Sequence, residues 1–397
     1  MRLLSFLNVS NMSNLEADSG YIFQRLLLCS LAKKGYEVSL ICPHQVPSLP
    51  EEIEPIFLPF SDSKFGVRMS VQWEKLKAIL TYSKPFDIAL INQSELTLPL
   101  KLLFYEVWNK NIPCVTYYHY LAIQGISKNG DIEYDSSQNL FDAGQFIWKR
   151  QLESALVSNT NVVGSQFGKH LFLAAAGVQA KNISIEVIPP PVQDYPQSHM
   201  FVDENLVKND RKPILMYNHR LYTHYGDCEI FDYLKQLNDE IPFTLIVTDP
   251  TYRRSTGRHQ LDPSPTNIRQ YLETLSFVEI QHFPTQESYY QALDQVDIGI
   301  GHLRKGALWS MAVADLMSRG KPVICFASGA MPEIINDHDL IFSSQKEFNH
   351  IVRKLLINRS FYLEKSKSAA SRARVLSPNH IANEFDNLFL RELRNAQ

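Results

Sequence analysis

The chain has 397 residues, 45% of them hydrophobic and 20% charged, with 39 basic against 42 acidic side chains and a formal net charge of -3. This composition excludes a disordered or fibrous protein, and the near balance of sign excludes a generally basic nucleic-acid binder while leaving room for a local patch. The length, about two to three times a domain of roughly 100–150 residues, predicts two domains, each with its own core.

In chain order, Leu3–Val9 reads as a buried strand rather than a leader, because polar Asn8 to Asn14 follow a short apolar run and no small-residue cleavage site appears. Short apolar runs then alternate with amphipathic stretches, the pattern of strands joined through helices into parallel sheets. Val38–Cys42, Ile88–Asn92, Cys114–Tyr118 and Asn161–Gly164 are further strands of a first α/β domain, with helices over Tyr21–Lys34, closed by Gly35, and over Asp142–Val157. The run Ile188-Pro189-Pro190-Pro191-Val192 stops regular structure, since successive prolines fix φ and remove backbone donors. A second alternation follows through Ile214–Tyr217, Thr244–Thr248, Phe277–Gln281, Ile298–Gly301 and Pro322–Phe326. The expected organisation is an N-terminal domain over 1–190, a linker over 191–212, a C-terminal domain over 213–377, and a helix within 378–397 crossing back to the first domain through Ile381, Phe385, Leu388 and Leu390. Two doubly wound, Rossmann-like domains facing a central cleft suit an enzyme that joins two substrates.

The five cysteines are odd in number and lack C-x-x-C spacing, which predicts reduced thiols, no zinc site and a cytoplasmic protein. No stretch approaches the ~18–20 apolar residues of a membrane span. No oligomeric state is read from the sequence.

Several strand ends carry candidate chemistry. Asp18-Ser19-Gly20 precedes the first helix, where Gly20 and the helix amides can receive an anion or Asp18 can simply cap the helix. A single glycine there does not make the G-x-G-x-x-G dinucleotide fingerprint, which disfavours a nicotinamide or flavin enzyme. His119 follows the strand Cys114–Tyr118 and can bind a sugar hydroxyl or move a proton. Asn218-His219-Arg220 occupies the matching strand end of the second domain, where the Arg220 guanidinium suits a diphosphate. The strongest phosphate candidate is Gly299 to Gly306, with Arg304 and Lys305, leading into a helix expected over Ala307–Ser318 that carries Asp315. Ser328-Gly329-Ala330 forms a second small-residue loop. Arg253, Arg254 and Arg258 lie in a basic stretch beside Tyr252 that suits a nucleic-acid backbone as well as a solvated loop.

The run from Asp297 to Ile335, with Arg319-Gly320-Lys321-Pro322 and Gly329-Ala330-Met331-Pro332-Glu333, resembles the donor-binding region of GT-B glycosyltransferases of the glycogen-synthase-like, retaining group. Asn218-His219-Arg220, Ile188–Val192 and Tyr118-His119 fall in matching order. The resemblance implies that Arg220 grips the donor phosphates, Asp315 holds the nucleotide ribose and His119 lines the sugar pocket. The Asn-His-Arg segment, with Phe283 to Val296, is also similar to tRNA-queuosine mannosyltransferases. Two departures stand out. The family's first glutamate is Ala307 here and its second is Asp315, a feature shared with phage DNA glucosyltransferases, and the lysine after the arginine is Tyr225. Arg304 and Lys305 are the residues expected to supply the missing charge.

The expected function is hexosyl or pentosyl transfer from a nucleotide-diphosphate sugar, UDP in preference to GDP, to a hydroxyl, with no obligatory cofactor or metal. A hydroxymethylated or otherwise modified base in DNA or tRNA is the favoured acceptor. Alternatives are a glycan or lipid-linked saccharide as acceptor, or a nucleotide-sugar epimerase. Asp18 is the candidate acceptor-side base beside His119.

Overall fold

The computed structural model describes residues 1–7, 15, 18–42, 46, 49–58, 71–134, 143–195, 211–248 and 263–396. The chain divides into two compact units, residues 1–191 with 378–397, and residues 192–377.

In the first unit the strands β1 (Arg2–Phe6), β2 (Glu37–Cys42), β3 (Ile53–Phe57), β4 (Ile88–Ile91), β5 (Cys114–Tyr118), β8 (Thr160–Val163) and β9 (Ile185–Val187) pair in the order β3-β2-β1-β4-β5-β8-β9. All these pairings are parallel. A small antiparallel pair, β6 (Ile123–Ile126) and β7 (Ile132–Tyr134), stands apart from this sheet. The central strands are apolar on both faces, as a parallel sheet covered by helices requires. Those helices are α1 (Ser19–Lys33), α2 (Trp73–Thr81), α3 (Thr97–Trp108), α4 (Ala143–Val157) and α5 (Gln166–Ala176).

The second unit repeats the design with β10 (Ile214–Tyr217), β11 (Thr244–Thr248), β12 (Val278–Gln281), β13 (Ile298–Ile300), β14 (Val323–Phe326) and β15 (Ile341–Phe342), in the order β12-β11-β10-β13-β14-β15. Every pairing in it is parallel. Its helices are α6 (Asp227–Asn238), α7 (Ser264–Leu272), α8 (Gln286–Gln295), α9 (Met311–Ser318), α10 (Met331–Ile335), α11 (Gln345–Ile357) and α12 (Arg359–Arg374). Helix α9 starts later than the expected Ala307. Gly306 turns the chain at φ 69°, the Ala307 carbonyl bonds the Ala330 amide at 2.9 Å, and Ser310 caps the helix by accepting from the Val313 amide.

The last helix, α13 (Pro378–Ala396), belongs to the first unit and packs on α1. Ile381, Phe385, Leu388 and Phe389 join Phe23, Leu27, Leu31 and Tyr117 in one buried cluster. Polar ties reinforce it: Asp386 receives the Tyr36 hydroxyl at 2.5 Å and pairs with Lys34 at 3.2 Å, and Glu392 accepts from the Thr160 hydroxyl at 2.9 Å. Among the described residues no helix is long and apolar enough to cross a membrane.

Candidate active site

In an open parallel sheet, ligands bind beyond the strand C-termini where the strand order reverses. In the second unit that point lies between β10 and β13. The β10 and β13 pair in register, Met216 opposite Gly299, and continuing that register beyond the strands brings His219 alongside His302. Their rings meet edge to face at 4.8 Å. The two loops are also joined through their backbones, the Leu303 amide donating to the Tyr225 carbonyl at 2.8 Å. Gly226 permits that approach: its φ is 73°, and a Cβ there would sit 2.7 Å from the Leu303 Cβ.

Three of the cationic candidates lie on these loops. Arg220 and Lys305 are exposed and have no ion pair or hydrogen bond among the described residues. Arg304 donates through Nη1 to the Tyr225 hydroxyl at 3.3 Å, with its guanidinium carbon 5.4 Å from that ring. The arginine expected to replace a missing lysine therefore touches the tyrosine that stands in the lysine's position. The His302 Nδ1 accepts the Arg304 amide at 3.1 Å, so its proton sits on Nε2. His219 is bonded to the Ile300 carbonyl by one nitrogen, while its buried Nε2 has no partner. Burial lowers both imidazoles, His219 to about 3, and both are neutral at physiological pH.

Asp315 is buried on α9, and its Oδ2 lies 3.4 Å from the Tyr289 hydroxyl. Burial raises its pKa to about 6, against the opposing effects of Arg319 and the Tyr289 hydrogen bond. Ala307, at the position of the family's first glutamate, is buried and held by its backbone. Gly329, at φ 59°, lies so close that a Cβ would meet the Ala307 carbonyl oxygen at 2.7 Å.

The other candidates lie in the first unit. Asp18 caps α1, its Oδ1 accepting the Gly20 and Tyr21 amides at 2.9 and 3.1 Å. The amides expected to receive an anion are thus bonded to a side chain of the protein itself. His119 stands just past β5, its ring 4.6 Å from Phe23 and 4.5 Å from Tyr117, with a buried Nε2 that has no partner. Burial lowers it to about 3, which suits a neutral hydrogen-bonding group better than a proton carrier. Arg253, Arg254 and Arg258 lie outside the described residues.

Sequence reasoning missed Tyr289, because a tyrosine on an amphipathic helix reads as core. It also missed Glu95, buried beyond β4, which accepts from Gln93, from Ser94 at 3.3 Å and from Gln151 at 3.4 Å. Nothing in the local pattern Asn92-Gln93-Ser94-Glu95 marks that network, which Gln151 completes from helix α4.

Comparison with known proteins agrees with this geometry. The family described as Glycosyltransferase Family 4 matches residues 25–194, which lie almost entirely in the first unit. Sucrose-phosphate synthase from Thermosynechococcus elongatus superposes with a TM-score of 0.73 at 14% identity, over 100% of both chains. Anabaena HepE, solved in complex with UDP and glucose, superposes at 0.68 and 14% identity, over 98% of this chain and 99% of its own. AviGT4, a glycosyltransferase involved in avilamycin A biosynthesis, reaches 0.60 at 14% identity, over 99% of this chain and 98% of its own. Among curated protein sequences none matches. The fold is the GT-B fold of two Rossmann-like halves.

Proposed function

We propose that the chain transfers a sugar from a UDP-sugar to a hydroxyl acceptor. The anomeric carbon–oxygen bond to the diphosphate breaks, a bond to the acceptor oxygen forms, and the acceptor proton leaves to a base or to the departing phosphate. Arg220, Arg304 and Lys305 hold the diphosphate, and Asp315 accepts the ribose hydroxyls. The observation that carries this reading is an exposed Arg220, without an ion pair or hydrogen bond among the described residues, at the same switch point as a buried carboxylate. Charge-assisted bonds from a fork-shaped guanidinium stabilise a leaving diphosphate without protein reorganisation. The UDP complex of HepE supports uridine over guanosine as the nucleotide.

For the acceptor, the sucrose-phosphate synthase and glucose-bound HepE neighbours favour a saccharide hydroxyl. The arginines at 253, 254 and 258 favour a modified base in DNA or RNA. A mass-spectrometric screen of UDP- and GDP-sugars against oligosaccharides, hydroxymethylated DNA and tRNA tests both parts. Transfer from a UDP-sugar to any of these supports the reading, and no transfer from any donor, with UDP unbound, overturns it.

A further inference from the structure

The carboxylate of Asp315 sits at the end of a hydrogen-bond chain whose direction is fixed. Asn218 donates through Nδ2 to the Ala312 carbonyl at 2.9 Å and to the Tyr289 hydroxyl oxygen at 2.7 Å. A carbonyl can only accept, so Ala312 settles which way the Asn218 amide faces. The Tyr289 oxygen therefore accepts from Asn218, and its own hydrogen points on to the Asp315 Oδ2. Asp315 Oδ1 has no hydrogen bond among the described residues.

We infer that Tyr289, tethered by Asn218, is a positioning residue that occupies one oxygen of Asp315 and turns the other toward the donor's ribose. The inference rests on the ribose role proposed for Asp315. Tyr289 is well suited to the task, because burial and the nearby Asp315 charge keep its proton on the phenol and so keep it a donor. The other charged group facing Asp315 is Arg319, the residue that follows α9, which is paired with Asp294 at 3.1 Å and lies over the Tyr290 and Tyr195 rings at 4.2 and 4.6 Å. From β10 the facing side chain is the neutral Asn218.

The Tyr289 bond favours the ionised carboxylate, so its loss moves the ionisation of Asp315 to higher pH. The test is calorimetric titration of UDP into the wild type, Tyr289→Phe and Asp315→Asn between pH 5.5 and 8.5. Tyr289→Phe is expected to bind about tenfold more weakly near pH 6.5, the loss of one hydrogen bond to a charged group, and to recover toward wild-type affinity at pH 8.5. Wild-type affinity at every pH, or a deficit of the same size at every pH, overturns the inference, the second being the mark of a purely structural tyrosine. An Asp315→Asn protein that binds UDP like the wild type overturns the ribose reading itself, whereas weak binding by Asp315→Asn beside a normal Tyr289→Phe overturns only the role of the tyrosine.

Discussion

The two units share the order of their central strands but treat the carboxylates beyond them differently. In the first, Asp18 is consumed by the amides of α1 and Glu95 by Gln93, Ser94 and Gln151. In the second, Arg220 makes no ion pair or hydrogen bond among the described residues and Asp315 is engaged at one oxygen, while a buried imidazole nitrogen without a partner occurs in both units, at His119 and at His219. A buried polar group left unmade is costly in an empty protein, so such groups accumulate where a ligand completes them. The doubly wound fold provides two candidate sites, and an exposed arginine together with a carboxylate open at one oxygen favours the second for a nucleotide.

The largest expected effect isolates the stability of the first unit. Phe385 is fully buried and packs on Phe23 with ring centres 6.2 Å apart. Phe385→Ala should cost about 3–5 kcal/mol in denaturant unfolding. In protein that remains folded, UDP affinity should be unchanged, and a loss of affinity would show that the two regions are not separable in this way.

The second unit should show the converse. Arg220→Ala is expected to weaken UDP binding by about 1.5–3 kcal/mol in calorimetry while leaving the unfolding free energy alone, since the side chain is exposed and bonded to nothing described. Asp315→Asn sharpens the contrast. The folded-state pKa of Asp315, about 6, lies above its ordinary 3.8, so ionising it opposes folding, and that cost grows from about pH 4 and is complete above about pH 6. Removing the charge should therefore stabilise the empty protein at pH 7 by on the order of 2–3 kcal/mol while weakening UDP binding. Thermal unfolding with and without UDP reads both signs.

Smaller effects follow. Arg304→Ala should reduce UDP affinity about tenfold, the size of one charge-assisted bond, and Tyr225→Lys should partly restore it. Asp18→Ala should cost about 0.5–2 kcal/mol of stability through its lost cap and leave UDP affinity as it was. A large fall in turnover of the stable Asp18→Ala protein would instead return Asp18 to the acceptor-side chemistry.

Much of the second unit is legible in the sequence, because central parallel strands are continuous apolar runs and Ile214–Tyr217 and Thr244–Thr248 have no competing helical period. The edge strand Ile53–Phe57 is harder to read: Pro55 lies inside it and most of its side chains are not buried, conditions tolerated only at an edge. Helix α3 likewise begins Thr97-Leu98-Pro99, where an early proline obscures a helix that it in fact suits. Among the candidate site residues, Arg220, Arg304 and Lys305 are readable because each lies just beyond a strand end, and Asp315 because the helix that follows β13 carries it. Tyr289 is not, since its role arises only when α8, β10 and α9 bring it between Asn218 and Asp315.

The most direct measurement of the difference between the two regions is amide hydrogen exchange of the wild-type protein with and without saturating UDP. The account predicts slowed exchange in 218–226 and 302–315, with the amides of 18–24 unaffected because their bonds to Asp18 and within α1 already exist without ligand. Protection that appears in 18–24 while 218–226 and 302–315 exchange as before would place the nucleotide in the first unit and contradict it.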